Sequence, residues 1–162
     1  NGFLESGRVD LRQKAVSDGM QASSTFFMKR HSPTHNSLYP GQGGQAGDVE
    51  EIEVETVSLD RDIGVDARVD VVKIDAEGAE PAILRGMRGI IDRNPNIVIF
   101  MEFAPQHLTR AGVEVRTYID EIRRLGLAIY NVEEPSGRVE AVSTETLLDC
   151  FSLNLMLRRA DT

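Results

Sequence analysis

The chain has 162 residues, 41% hydrophobic and 27% charged, with a net charge of −8 and a pI near 4.9. That length supports one domain with a real core and leaves no room for two comfortable ones. An acidic surface repels phosphate backbones, which excludes nucleic acid as a main partner, and the arginines run together only in pairs such as Arg123-Arg124 and Arg158-Arg159.

Cys150 is the only cysteine, so no disulfide forms within the chain and nothing points to an oxidising compartment. Apolar stretches such as Ile97 to Phe100 are too short to cross a bilayer, and no signal peptide is visible. The expectation is a cytoplasmic location without membrane contact. The first residue is Asn1 rather than Met, and NGFLESGRVD has neither cap nor strand character, so a piece of a longer polypeptide is expected.

In chain order, Arg8 to Val16 alternates in places and runs into Ser17-Asp18-Gly19, which predicts a strand and a turn. Ala22 to Met28 is β-prone through Thr25, Phe26 and Phe27. Residues 30–48 then turn polar and rich in Gly and Pro, so they read as a loop, long enough to serve as a lid. Val49 to Leu59 alternates cleanly, with Ile52, Val54 and Thr56 on one face and Glu51, Glu53 and Glu55 on the other. That pattern predicts a half-exposed strand, placed to pair antiparallel with Ala22 to Met28.

Val69 to Ile74 is a nearly continuous apolar run, the signature of a buried parallel strand. It ends abruptly in Asp75, Glu77, Gly78 and Glu80, after which Ile83, Leu84, Met87, Ile90 and Ile91 repeat at helical spacing until Asn94-Pro95. Ile97 to Met101 predicts a second short apolar strand, again closed by a carboxylate, Glu102. A helix is expected over Glu114 to Leu125, and strands over Leu127 to Val132 and Phe151 to Leu157. No helical apolar pattern joins the last two strands, so the final one is expected to insert antiparallel. Strands alternating with helices imply an α/β fold around a mostly parallel sheet.

Two successive strand–helix crossovers put Asp75 and Glu102 at the carboxyl ends of strands expected to be neighbours. In open α/β sheets ligands bind at that rim. Carboxylates there suit proton abstraction, or the holding of a hard divalent cation such as Mg²⁺, for which Asp75 and Glu102 are the candidate ligands. Glu77 and Glu80 stand where acids commonly do no more than favour a helix N-terminus. Lys73, inside the strand, needs a partner such as Asp75 or Glu77, or a place on an edge. His107 is a candidate base or substrate contact, against the plainer reading of a surface histidine. His31 and His35 lie four apart, but Pro33 between them and the lack of a third ligand argue against zinc. Cys150 reads as a small buried residue rather than a nucleophile.

Lys73-Ile74-Asp75-Ala76-Glu77-Gly78-Ala79-Glu80, followed by Ile83-Leu84-Arg85-Gly86, resembles the signature of the FkbM family of S-adenosylmethionine-dependent methyltransferases. Ala15-Val16-Ser17-Asp18-Gly19, Asn36-Ser37 and Ser58-Leu59-Asp60 are similar to further family positions, and the resemblance runs from about Val9 to Glu102. It implies a class I methyltransferase-like (Rossmann-like) sheet of seven strands, the last antiparallel. On that pattern the chain is a partial methyltransferase domain over 1–162, with a hairpin and loop insertion over 19–60 and its N-terminal strands missing. The resemblance also implies that Asp18 lies near the adenine of the cofactor, S-adenosylmethionine, and Asp75 near the transferred methyl.

Family members mostly methylate hydroxyls of sugars, polyketides and other natural products, so a small-molecule acceptor is expected. No glycine-rich loop precedes Arg8, and Gly41 to Gly47 follows no predicted strand. Residues 1–162 alone are therefore expected to bind the cofactor poorly and to be inactive. The leading expectation is an O-methyltransferase in which Asp75 or Glu102 deprotonates the acceptor, with Glu77, Glu80 and His107 as substrate contacts or supporting groups. The alternative is a non-catalytic, methyltransferase-like interaction module. A metal-assisted hydrolase built on the same carboxylates lacks the further ligands such sites need. An incomplete sheet would leave a strand edge open to self-association.

Overall fold

The computed structural model describes residues 2–29, 36–40, 48–64 and 66–160. After a short helix α1 (Gly2–Glu5), the first strands form a three-stranded sheet of their own. In it β1 (Ala15–Val16) runs parallel to β3 (Val49–Val57), and β2 (Ser23–Lys29) pairs antiparallel with β3, from Ser23 opposite Glu55 to Lys29 opposite Val49. Glu51, Glu53 and Glu55 face solvent, as the alternation predicts. The strand expected from Arg8 shrinks to two residues. Val9 and Leu11 are 46% and 77% exposed, so extending it would bury nothing. Arg12 instead ties this segment down through Asp10 and Asp62.

A second sheet has five strands in the order β4-β5-β8-β6-β7. These are β4 (Val71–Ile74), β5 (Val98–Phe103), β6 (Leu127–Glu133), β7 (Arg138–Ala141) and β8 (Leu153–Arg159). Only the β4–β5 ladder is parallel. The last strand enters antiparallel, as expected, but it does so between β5 and β6, so that every other ladder is antiparallel too. The expectation of a mostly parallel sheet is corrected accordingly: β4, β5 and β6 share a direction, yet β8 separates the last two. β4 is also an edge strand rather than a buried one, with Val71 61% exposed.

Apart from the turn between β6 and β7, the connections of this sheet are helical. α2 (Leu59–Asp62) precedes β4, and α3 (Glu80–Gly86) and α4 (Arg88–Arg93) link β4 to β5. α5 (Pro105–Arg110) and α6 (Val115–Arg124) link β5 to β6, and α7 (Thr144–Asp149) precedes β8. The single helix expected after Glu80 is broken at Met87, because Asp60 of α2 accepts hydrogen bonds from the amides of Gly89 and Ile90 at 2.9 and 2.8 Å. That carboxylate satisfies free N–H groups at the start of α4 and so gives the segment two axes. α5, β7 and α7 carry too few apolar residues to announce themselves by periodicity.

All the helical apolar stripes fall on one face of the larger sheet. Ile83, Met87, Ile91, Leu108, Ile119 and Leu147 form one buried cluster with Ile74, Ile99, Met101, Leu155 and Leu157. Tyr118 of α6 stacks on Phe103 of β5, ring centroids 6.3 Å apart. This core clamps the amino-terminal turns of α3 and α5 against the ends of β4 and β5.

Candidate functional site

β4 and β5 pair in register through Val72 opposite Ile99 and Ile74 opposite Met101. One step on, Asp75 leaves β4 beside Glu102, which is still within β5 and faces Asn154 of β8. The two carboxylates expected to share a rim therefore stand on adjacent strands at its carboxyl end.

Their surroundings differ. The Asp75 side chain is 52% exposed and accepts a hydrogen bond from Lys73 Nζ at 3.0 Å, so Lys73 finds both its partner and its edge. Asp75 also sits on the rim of a cavity of about 620 Å³ between the two sheets, walled by Val16, Phe26, Leu38, Val72 and Ile83. Glu102 is half-buried and accepts from Ser152 Oγ at 2.9 Å. A second cavity, about 510 Å³, lies at the amino ends of β4 and β5 beside Arg68, Arg93 and Asn94. It is at the wrong end of the strands for an α/β ligand site.

Between β4 and α3 the chain makes a tight turn that holds Glu77 in the left-handed region, φ +52°, and Gly78 at φ +108°. For glutamate that conformation costs on the order of 1–3 kcal/mol and needs support from its surroundings. Glu80 supplies part of it: one carboxylate oxygen accepts from the amide of Ala76 at 3.1 Å and the other from Gly78 at 2.9 Å. The carbonyl of Glu77 accepts from Ser37 Oγ at 3.0 Å and from Arg110 Nη2 at 2.7 Å. At Gly78 any Cβ would come within 2.8 Å of the carbonyl oxygen of His107, so only glycine fits. The turns after the two parallel strands thus interlock.

Glu80 is 4% exposed, and burial pushes its carboxyl above the ordinary range, opposed by the backbone N–H groups it accepts from and by His107. The Glu77 side chain is 13% exposed. Its Oε2 has no hydrogen-bond partner among the described residues, but His107 Nδ1 and Arg110 Nη2 stand 3.5 and 3.6 Å away. Glu77, Glu102 and His107 each bring one donor atom into a group whose members lie within 4.8 Å of one another. Asp75 is not in that group; among the described residues it is Glu77 that joins Glu102 where a cation would sit. Arg110 already places a positive charge beside Glu77.

Asp18 follows β1, and its Oδ1 accepts from the amide of Met20 at 3.0 Å, closing a local turn. It is not among the residues lining the cavity that Asp75 borders. His31, His35 and Gly41 to Gly47 lie outside the described residues. Cys150 is partly buried, which raises its thiol pKa, and it donates to the carbonyl of Leu147, so it is an inert packing residue. Sequence reasoning missed Arg110, although its position three residues after His107 on one helix was a usable signal. It also missed Ser152, which the sheet alone brings to Glu102.

These features define the class: a mixed α/β domain whose acidic groups collect where two adjacent parallel strands end. The model of the Methyltransferase FkbM domain matches residues 6–127, and the chain belongs to that family. No curated protein and no solved structure matches it. Membership agrees with the resemblance carried by Lys73 to Glu80, and it does not favour the interaction-module alternative. Among the described residues no helix is long and apolar enough to cross a membrane.

Proposed function

We propose that this chain transfers a methyl group from S-adenosylmethionine to a hydroxyl of a small sugar-like or natural-product-like molecule, on a Rossmann-like sheet. The single observation that carries the reading is the β4–β5 rim, where Asp75 and Glu102 emerge side by side within the family's own domain. The residues present fit the donor in part. The cavity has apolar walls suited to an adenosyl group and one carboxylate, Asp75, at its rim to offset a sulfonium charge. Val16, Leu38 and Asp75 would hold it there, with Asp18 at the neighbouring turn. When bound, S-adenosylmethionine supplies an electrophilic methyl; the chain's own task is to orient the acceptor, exclude water and take its proton.

Asp75 faces the donor in this reading, and Glu102, steadied by Ser152, faces the acceptor. Mg²⁺ is not needed, since Arg110 already balances the charge of Glu77. The lone cysteine supports a cytoplasmic setting. In the full-length protein, Asp75→Asn is expected to weaken S-adenosylmethionine binding by about tenfold in calorimetry, because the sulfonium loses its countercharge. An unchanged donor affinity would make the aspartate a structural residue.

A further inference from the structure

The geometry points to His107 as the proton acceptor of this reaction, with Glu77 and Arg110 as the residues that position it; this rests on the methyl-transfer reading above. Asp75 is poorly placed to take the proton. Its carboxylate is half in water, already accepts from Lys73 Nζ at 3.0 Å, and in the reading above faces the donor rather than the acceptor. His107 stands at the same rim, on the first turn after β5, and its side chain is 21% exposed, enough to meet a substrate.

Nδ1 of His107 faces Glu77 Oε2 at 3.5 Å, a loose contact of the kind that tightens when a substrate binds. A carboxylate at that nitrogen favours the tautomer with the proton on Nδ1 and the lone pair on Nε2, turned away from Glu77. Glu77 is well placed for the role. It is nearly buried, its carbonyl is bonded by Ser37 and Arg110, and its left-handed backbone is clamped by Glu80. Gly78 packs directly against the carbonyl of His107, so the turn that carries the orienting carboxylate abuts the residue that carries the imidazole.

In the step itself the acceptor oxygen gives its proton to Nε2 and bonds the methyl carbon. The carbon–sulfur bond breaks with its electron pair left on sulfur, and the imidazolium is stabilised by Glu77 until it releases the proton to water. Charge and atoms balance with the donor and acceptor alone.

Two measurements on the full-length protein test this. The first needs no turnover: ring ¹⁵N shifts of the neutral His107 imidazole, assigned by the signal lost in His107→Gln. The Nδ1–H tautomer is expected to predominate in the wild type and to give way to Nε2–H in Glu77→Ala, which removes the acceptor. A wild-type Nε2–H tautomer, or one indifferent to Glu77→Ala, overturns the pairing. The second uses labelled S-adenosylmethionine with a panel of hydroxylated acceptors. His107→Gln is expected to lower kcat by about 10²- to 10⁴-fold with little change in KM, and Glu77→Gln by a smaller factor. A wild type that transfers methyl and a His107→Gln variant that does so equally well overturn the base and leave the methyltransferase reading standing. A wild type that transfers none overturns that reading, and the base with it.

Discussion

The two faces of the five-stranded sheet are built from the same strands and have opposite fates. On one, Ile74, Ile99, Met101, Leu155 and Leu157 are buried beneath the helices. On the other, the alternate residues of β4 and β5 stand at the surface: Val71 is 61% exposed and Phe100 37%. Nearby, the guanidinium of Arg158 lies over the ring of Tyr130, 5.1 Å from its centre, so this face is partly covered by its own long side chains. Strand geometry alone makes such faces possible, because successive side chains point to opposite sides. What separates them is where the helices pack, and every helical apolar stripe described here turns to the same side.

Substitutions sharpen the contrast. Ile99→Ala, in the middle of the covered face, is expected to cost about 2–5 kcal/mol in chemical denaturation, since a fully enclosed side chain leaves a cavity. A cost near zero would mean that the helices do not seal this face.

Glu80 is the first residue of α3 and is buried, and it is expected to give an intermediate effect with a pH signature. In Glu80→Gln the amide can accept only one of the two N–H groups, and the other is left facing a donor, at about 1–3 kcal/mol. Burial holds the folded-state pKa of Glu80 above its ordinary value of 4.5. As pH rises from 4.5 through that raised value, the unfolded chain loses its proton first, and the wild type loses the stability that the protonated, buried carboxyl contributed. Gln has no such transition. The gap between wild type and variant should therefore narrow with rising pH across that window; a constant gap in denaturation midpoints would contradict the burial of this group.

The smallest effect belongs to the open face. Val71→Thr keeps the β-branched shape on an edge strand and is expected to change stability by less than about 0.5 kcal/mol. A loss comparable with that of Ile99→Ala would reveal that something covers this face in solution, and the comparison would fail.

These faces also explain where sequence reasoning went astray. Val69 to Ile74 and Ile97 to Met101 are apolar almost throughout, the pattern of strands buried on both sides, and both do form adjacent parallel strands. One side of each is nevertheless exposed, because apolar content records what a strand tolerates and not what packs upon it. Helix α6 was legible, with Val115, Ile119 and Ile122 at helical spacing and Glu114 capping its first turn through the amides of Arg116 and Thr117. Its neighbour α5 was not, having Leu108 alone to bury. At the site, Asp75 and Glu102 were legible as strand-end carboxylates, whereas the grouping of Glu77 with His107 and Arg110 was not, since those contacts span about 30 residues of sequence.

By itself the sequence determined the hairpin, the order of the principal strands and helices, and the acidic ending of two neighbouring strands, because periodicity and turn chemistry are local. Only the tertiary structure decided which acid stays half in water beside Lys73 and which is enclosed with His107 and Arg110. Asp75 and Glu77 are two residues apart, yet a left-handed turn held by Glu80, Ser37 and Arg110 sends one to the solvent beside Lys73 and the other beneath His107. Burial and partnership are set by what arrives from elsewhere in the chain, and no run of neighbouring residues encodes that.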